Sequence, residues 1–176
     1  MIVDVLLKTD MKPVKLSELI EALEFESEEH VTRVDLQNGS VVTVELAVLS
    51  AVEEGDEEAL ADLADWQKPE VEVARAMAED PGERFVDVPD KFDFHEYREM
   101  ERFIGTVSDS AVAEELWRAI EGKGAFRYFK DTANRLGLLK QWYEYRDNAL
   151  NEFVADWAEA RKILIEDDMK GRGNSS

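Results

Sequence analysis

The 176-residue chain contains no cysteine. That excludes a disulfide framework, a thiolate zinc site and a thiol nucleophile, and it suits a reducing compartment. Histidine is nearly absent too: His30 and His95 are the whole supply. With no Gly-x-Ser-x-Gly string beside them, no nucleophilic triad can be assembled, and no catalytic residue is nominated. No run reaches the roughly 20 apolar residues of a membrane helix. The opening "MIVDVLLKTDMK" lacks the basic lead and small-residue cleavage site of a secretory signal. These absences predict a cytoplasmic protein that leaves membranes alone.

Positive charge is also short. The chain has 21 Lys and Arg against 41 Asp and Glu, a formal charge of −20. A field of that sign keeps a protein soluble and repels nucleic acid and anionic membranes. The deficit is uneven: residues 1–82 hold 21 acids and 6 bases, net −15, whereas 83–176 hold 20 and 15, net −5. A solvated acidic surface explains this, with an acidic docking face or nucleic-acid mimic as the alternative.

What is present is an ordered series of periodic segments. "VKLSELIEALE" (14–24) places Leu16, Leu19, Ile20 and Leu23 at helical spacing, with Ser17 as candidate N-cap. From residue 30 the period changes to two. Val31, Val34 and Leu36 precede Asn38-Gly39, and Val42, Val44 and Leu46 follow, which predicts a hairpin turning at Asn-Gly with both turn residues at positive φ. The acidic stretch 50–67 reads as a loop or weak helix. Pro69 opens a helix that Pro81-Gly82 stops. "RFVDVP" (84–89) supplies a short strand that can join the hairpin as its third.

Helical spacing then takes over. Tyr97, Met100, Phe103, Ile104 and Val107 share one face, and Asp109 caps a second helix with Val112, Leu116 and Ile120 inward. "GKGAFRYFKDTANRLG" (122–137) forms a third. A long fourth runs from Leu138 to about Ile165, with a stripe through Leu139, Trp142, Ala149, Leu150, Phe153, Trp157, Ala160 and Leu164. The sum is an α+β protein: an N-terminal helix and Asn-Gly β-hairpin, then a mainly α-helical C-terminal half of about four helices. In domain terms, 1–67 is helix, hairpin and acidic linker, 68–166 the helical half and 167–176 a disordered tail, the whole forming one compact unit.

"DVPDKFDFHEYREMERFI", "GKGAFRYFKDT" and "LGLLKQWYEYRDNAL", in that order, resemble a bacterial family known as uncharacterised protein family 0158. "LSELIEALEF" and "DWQKPEVEVARAMAEDP" fit it as well, so the resemblance spans about residues 14–160, leaving Met1–Lys12 outside. The chain departs from the pattern where Tyr128 replaces a second basic residue and where Asn134 stands in place of a histidine. The resemblance implies no particular activity.

The 122–137 stretch is where the charge reverses. At about 100° per residue, Phe126, Phe129, Ala133 and Leu136 cluster, while Lys123, Arg127, Lys130 and Asn134 align about a quarter-turn away. Gly122 and Gly124 stand at the helix start, where free N–H groups and the dipole favour an anion. These six residues, Gly122, Lys123, Gly124, Arg127, Lys130 and Asn134, are the candidate anion- or partner-binding set. The competing structural explanation has the glycines serving only as helix caps and the cations pairing with the chain's own acids, Asp131–Arg135 being one such i, i+4 pair. The Gly-Lys-Ser/Thr of a P-loop is absent. Tyr143 and Tyr145, read as exposed beside Arg127, Lys130, Arg135 and Arg146, are candidates for stacking on single-stranded RNA. Asp87, Asp90, Asp93, His95, Glu96 and Glu99 are hard ligand types, but the zinc-protease and Ca²⁺-loop spacings are missing, so no metal and no cofactor is expected. Three readings remain open: a non-enzymatic module binding an acidic group on a protein partner, an RNA binder, and an enzyme on a phosphorylated small molecule with an Asp of 87–93 as base.

Overall fold

A computed structural model describes residues 11–25 and 27–169. Of the tail expected to be disordered, 167–176, residues 170–176 lie outside the described residues. The chain divides into two compact units: Met1–Asp90 with Val154–Lys170, and Lys91–Phe153 with Gly171–Ser176. The chain passes between the units at Asp90–Lys91 and at Phe153–Val154.

In the first unit, β1 (Val14–Lys15) leads directly into α1 (Leu16–Glu24). Ser17 does not cap this helix. Lys15 holds the cap position without a side-chain bond, and the helix-terminal N–H of Ser17 is satisfied from far away, by Asp168 Oδ1 at 3.0 Å, while the Ser17 hydroxyl donates to Asp168 Oδ2. Asp168 reaches it because β5 (Ile165–Glu166) pairs in parallel with β1, a clasp closed across 151 residues.

The hairpin is present as β2 (His30–Asp35) and β3 (Ser40–Glu45), with Asp35 opposite Ser40. β4 (Phe85–Asp87) adds antiparallel to β2, giving the order β3-β2-β4. The turn differs from expectation. Four residues, 36–39, separate the strands, and only Gly39 is left-handed, at φ +66°. The reason is Asp35: its carboxylate accepts the N–H groups of Gln37 and Asn38 and the Asn38 amide, which fixes a wider turn than the two-residue kind. Gly39 is also tightly packed, since a Cβ there would lie 2.5 Å from the Pro13 carbonyl oxygen.

α2 (Leu46–Glu54) follows β3 without a loop, so Leu46 begins a helix instead of ending a strand; Gly55, at φ +70°, closes it. The acidic stretch continues as α3 (Glu57–Ala61), capped by Asp56. α4 (Lys68–Glu79) carries Pro69 in its first turn. Val44 from β3, Val48 from α2 and Ala74 from α4 form a buried cluster flanked by Leu49, Val52 and Val71.

The second unit is helical: α5 (Lys91–Phe94), α6 (Glu96–Gly105), α7 (Ser110–Ala119), α8 (Ala125–Arg135) and the start of α9 (Leu139–Ala160). His95, at φ +52°, breaks the run expected to be continuous from Asp93. Asp109 caps α7 as expected, accepting from Ala111 and Val112. Met100, Phe103, Ile104, Leu116, Ile120, Phe129 and Trp142 make the core. Phe103 and Phe129 stand edge-on to Trp142 at 5.5 and 4.9 Å, contacts worth about 0.5–1.5 kcal/mol each beyond burial. Trp142 Nε1 is the buried side-chain polar atom without a hydrogen-bond partner among the described residues. α9 stops at Ala160, earlier than the periodicity suggested, because the chain reverses at Lys162 (φ +58°) to bury Ile163 and leave Leu164 outside.

Candidate functional site

α8 begins at Gly124, whose φ of +76° makes it a left-handed N-cap with no side chain to offer the helix; Gly122 is left-handed as well, at +79°. The pair turns the chain sharply after α7 and leaves Lys123 projecting between two glycines. The Tyr128 ring folds back over Gly124, so a Cβ there would sit 3.1 Å from it. A glycine is therefore needed at 124 for both backbone and space, whereas at 122 only the backbone demands it.

The buried edge of α8 is Ala125, Phe129 and Ala133. Phe126 corrects the expected grouping: it is 46% exposed, because Ala125 takes the inward position and rotates the apolar arc away from it. The cationic stripe consequently lies over about a third of a turn from the buried edge, at the solvent face, instead of a quarter-turn. Lys123, Arg127, Lys130 and Asn134 are all exposed. Among the described residues no ion pair reaches Lys123 or Lys130, and Arg127 has only a loose contact with Asp131, 3.9 Å between two solvated side chains. Such a pair is worth at most a few tenths of a kcal/mol. The expected Asp131–Arg135 pair does not form; Arg135 reaches across to Glu115 of α7 instead. Tyr128, 57% exposed, lies on the opposite flank of the helix from Phe126 and Lys130.

The stacking candidates separate. Tyr143 is exposed, but Tyr145 is half-buried, with its ring against Phe103 at 5.5 Å and nearly parallel to Trp142. Arg146 is not part of an open surface either: its Nε lies 2.6 Å from Glu96, both side chains 18% exposed, and Nη1 lies near Asp147. Periodicity could not find this partner, which comes from α6, 50 residues earlier.

Three of the acids around α6 are likewise engaged. Asp87 pairs with Arg33, Glu96 with Arg146, and buried Glu99 with Arg102. No group of three or more His, Asp or Glu able to hold a metal occurs among the described residues. No helix among them is long and apolar enough to cross a membrane.

In the first unit the sequence reading missed a polar network beside the hairpin turn. Asp35, 1% exposed, receives two hydrogen bonds from Arg84, both at 3.0 Å. Burial pushes the Asp35 pKa up, but the bonds from Arg84, Asn38 and Gln37 and the guanidinium charge outweigh it and hold the carboxyl below its ordinary value. Asp80, at the end of α4, is also depressed: burial opposes, and the N–H groups of Phe85, Arg84, Glu83 and Gly82 prevail. Arg84 answers with a raised pKa, chiefly from its bond to Asp35. Beside these groups lies an open groove of about 560 Å³, with Lys12, Gln37 and Asn38 on its walls. With both carboxylates saturated by internal donors, the network organises the strand ends and leaves the groove little directed charge.

The family model described as "Uncharacterised protein family (UPF0158)" matches residues 11–171. The chain belongs to that family. No curated protein and no solved structure matches it. The match extends beyond the 14–160 carried by the quoted motifs and takes in β5 as well as α8, so the clasp and the glycine-flanked helix both lie within the UPF0158 region of the chain.

Proposed function

We propose that this UPF0158 chain is a non-enzymatic binding module whose working surface is the outer face of α8, and that it docks an acidic segment of a protein partner. One observation carries the reading. In a chain of charge −20, Lys123 and Lys130 stand exposed with no ion pair among the described residues, each one helical turn from the open ring of Phe126. These cations are free to take their counter-charge from an acidic partner, and the exposed Phe126 ring beside them adds apolar contact area and cation–π capacity. Gly122, with open space where a Cβ would stand, lets a partner approach the backbone, and Asn134 extends the polar edge.

RNA is the poorer fit. Of the stacking-plus-cation set, Tyr145 and Arg146 are committed to packing and to Glu96, and the net charge opposes a polyanion. Fluorescence anisotropy with a labelled, glutamate-rich synthetic peptide bearing a central tryptophan tests the proposal. Wild type binds; Lys123→Glu/Arg127→Glu/Lys130→Glu binds at least about tenfold more weakly, about 1.4 kcal/mol. Equal affinity in both proteins refutes it, as does a preference for single-stranded RNA over the peptide.

A further inference from the structure

We infer that the acidic segment suited to the α8 face is present in this chain itself, at residues 53–66, and that UPF0158 chains of this kind self-associate head to tail. The inference rests on the reading of α8 given above.

The two compact units differ sharply in charge. The first, Met1–Asp90 with Val154–Lys170, holds 29 acids and 10 bases, net −19. Lys91–Phe153 holds 12 and 10, net −2. Within the first unit, 53–66 is the densest acidic stretch: Glu53, Glu54, Asp56, Glu57, Glu58, Asp62 and Asp65, with no base among them. All seven are exposed. Three are partly used, Asp56 on the α3 cap, Glu57 on Arg75 and Asp65 on Lys68. Glu53, Glu54, Glu58 and Asp62 have no ion pair among the described residues. The segment ends on Trp66, 69% exposed, the largest open ring in its unit. It thus offers four carboxylates without an ion pair among the described residues, and an aromatic face. The α8 surface offers the complement: two lysines without ion pairs among the described residues, Arg127 held only loosely, and the exposed ring of Phe126.

Joining unlike patches of identical copies is a heterologous contact, which propagates into rings or open chains instead of stopping at a dimer. Its salt dependence has a signature. At about 0.01 M salt the screening length is about 30 Å, and the −20 charges of two copies repel through it. Near about 0.1 M, at roughly 10 Å, that repulsion is muted while contact pairs persist; at about 1 M the contacts are screened too. Association is therefore strongest at the intermediate salt.

Sedimentation velocity on the full chain tests this. Two variants remove charge from one patch each without reversing it: Lys123→Gln/Arg127→Gln/Lys130→Gln on α8, and Glu53→Gln/Glu54→Gln/Glu58→Gln/Asp62→Asn in the acidic segment. Wild type is expected to show concentration-dependent species larger than a dimer at intermediate salt. Each variant alone loses them, and an equimolar mixture recovers a species that stops at a heterodimer, because each retains one intact patch. A wild type that stays monomeric at all three salts, or a mixture that stays monomeric, overturns the inference. If such a protein still binds the glutamate-rich peptide through α8, the binding proposal survives and only the identity of the partner is wrong.

Discussion

Replacing Arg84 with methionine removes the guanidinium from the Asp35 carboxylate while keeping an unbranched apolar stem. Asp35 is then a buried anion held by Gln37, Asn38 and the Asn38 amide alone. Breaking a fully buried pair costs about 3–5 kcal/mol. The Arg84 side chain is one-third exposed, so water compensates part of the loss and about 2–3 kcal/mol is the appropriate figure. For a chain of this size that lowers the melting temperature by about 4–12 °C. The effect has a defined pH dependence. Asp35 is depressed in the folded protein, so its ion pair contributes stability above the unfolded pKa near 3.8, and that contribution is lost as pH falls through the lower folded value. In Arg84→Met, burial is opposed only by the bonds from Gln37 and Asn38, so the carboxyl protonates more readily than in wild type, which relieves the penalty. The difference between wild type and variant, followed by circular dichroism melts, is full at neutral pH and narrows below about pH 4. A shift under about 1 °C at pH 7, or a difference that widens on acidification, refutes the reasoning.

Three further outcomes follow from the coordinates. Gly39→Ala forces a Cβ to 2.5 Å from Pro13 O at φ +66° and lowers stability by about 2–4 kcal/mol, whereas Gly55→Ala, at φ +70° in open space, costs only about 1 kcal/mol; urea melts of the two compare them directly. Ser17→Ala removes the side-chain half of the clasp to Asp168 and costs about 1 kcal/mol, while Asp168→Ala also strips the α1 N–H of its partner and costs more, read by the same melts. Arg146→Met, which strands the partly buried Glu96, lowers stability by about 1–2 kcal/mol, but Arg127→Met stays within about 0.5 kcal/mol by thermal denaturation; a reversed order would show that the open face of α8 is structural.

Local signals in the sequence carried the secondary structure well. The Asn-Gly hairpin, the third strand at 85–87, Pro69 at a helix start and the Asp109 cap each rest on one or two neighbouring residues, and each appears. Departures arise where distant residues decide. The four-residue turn depends on Asp35, which Arg84 holds from 49 positions away. The β1–β5 clasp joins segments 151 apart, too short for any periodicity to announce. At α8 the pattern located the cations correctly as a stripe, yet Phe126 sits at the margin of the apolar arc, and only the packing of Ala125 reveals that it faces water. Tyr145 shows the converse: polar neighbours in sequence placed it outside, and the rings of Phe103 and Trp142 draw it in.

The account stands most directly on which amides respond when an acidic aromatic peptide is added. In a ¹⁵N-resolved NMR titration with the glutamate-rich tryptophan peptide, perturbations are predicted to concentrate at Gly122, Lys123, Gly124, Phe126, Arg127 and Lys130 and to reach Asn134, with buried Phe129 and Ala133 moving least. Perturbations centred on the Asp35–Arg84 groove, or none at millimolar peptide, would contradict it.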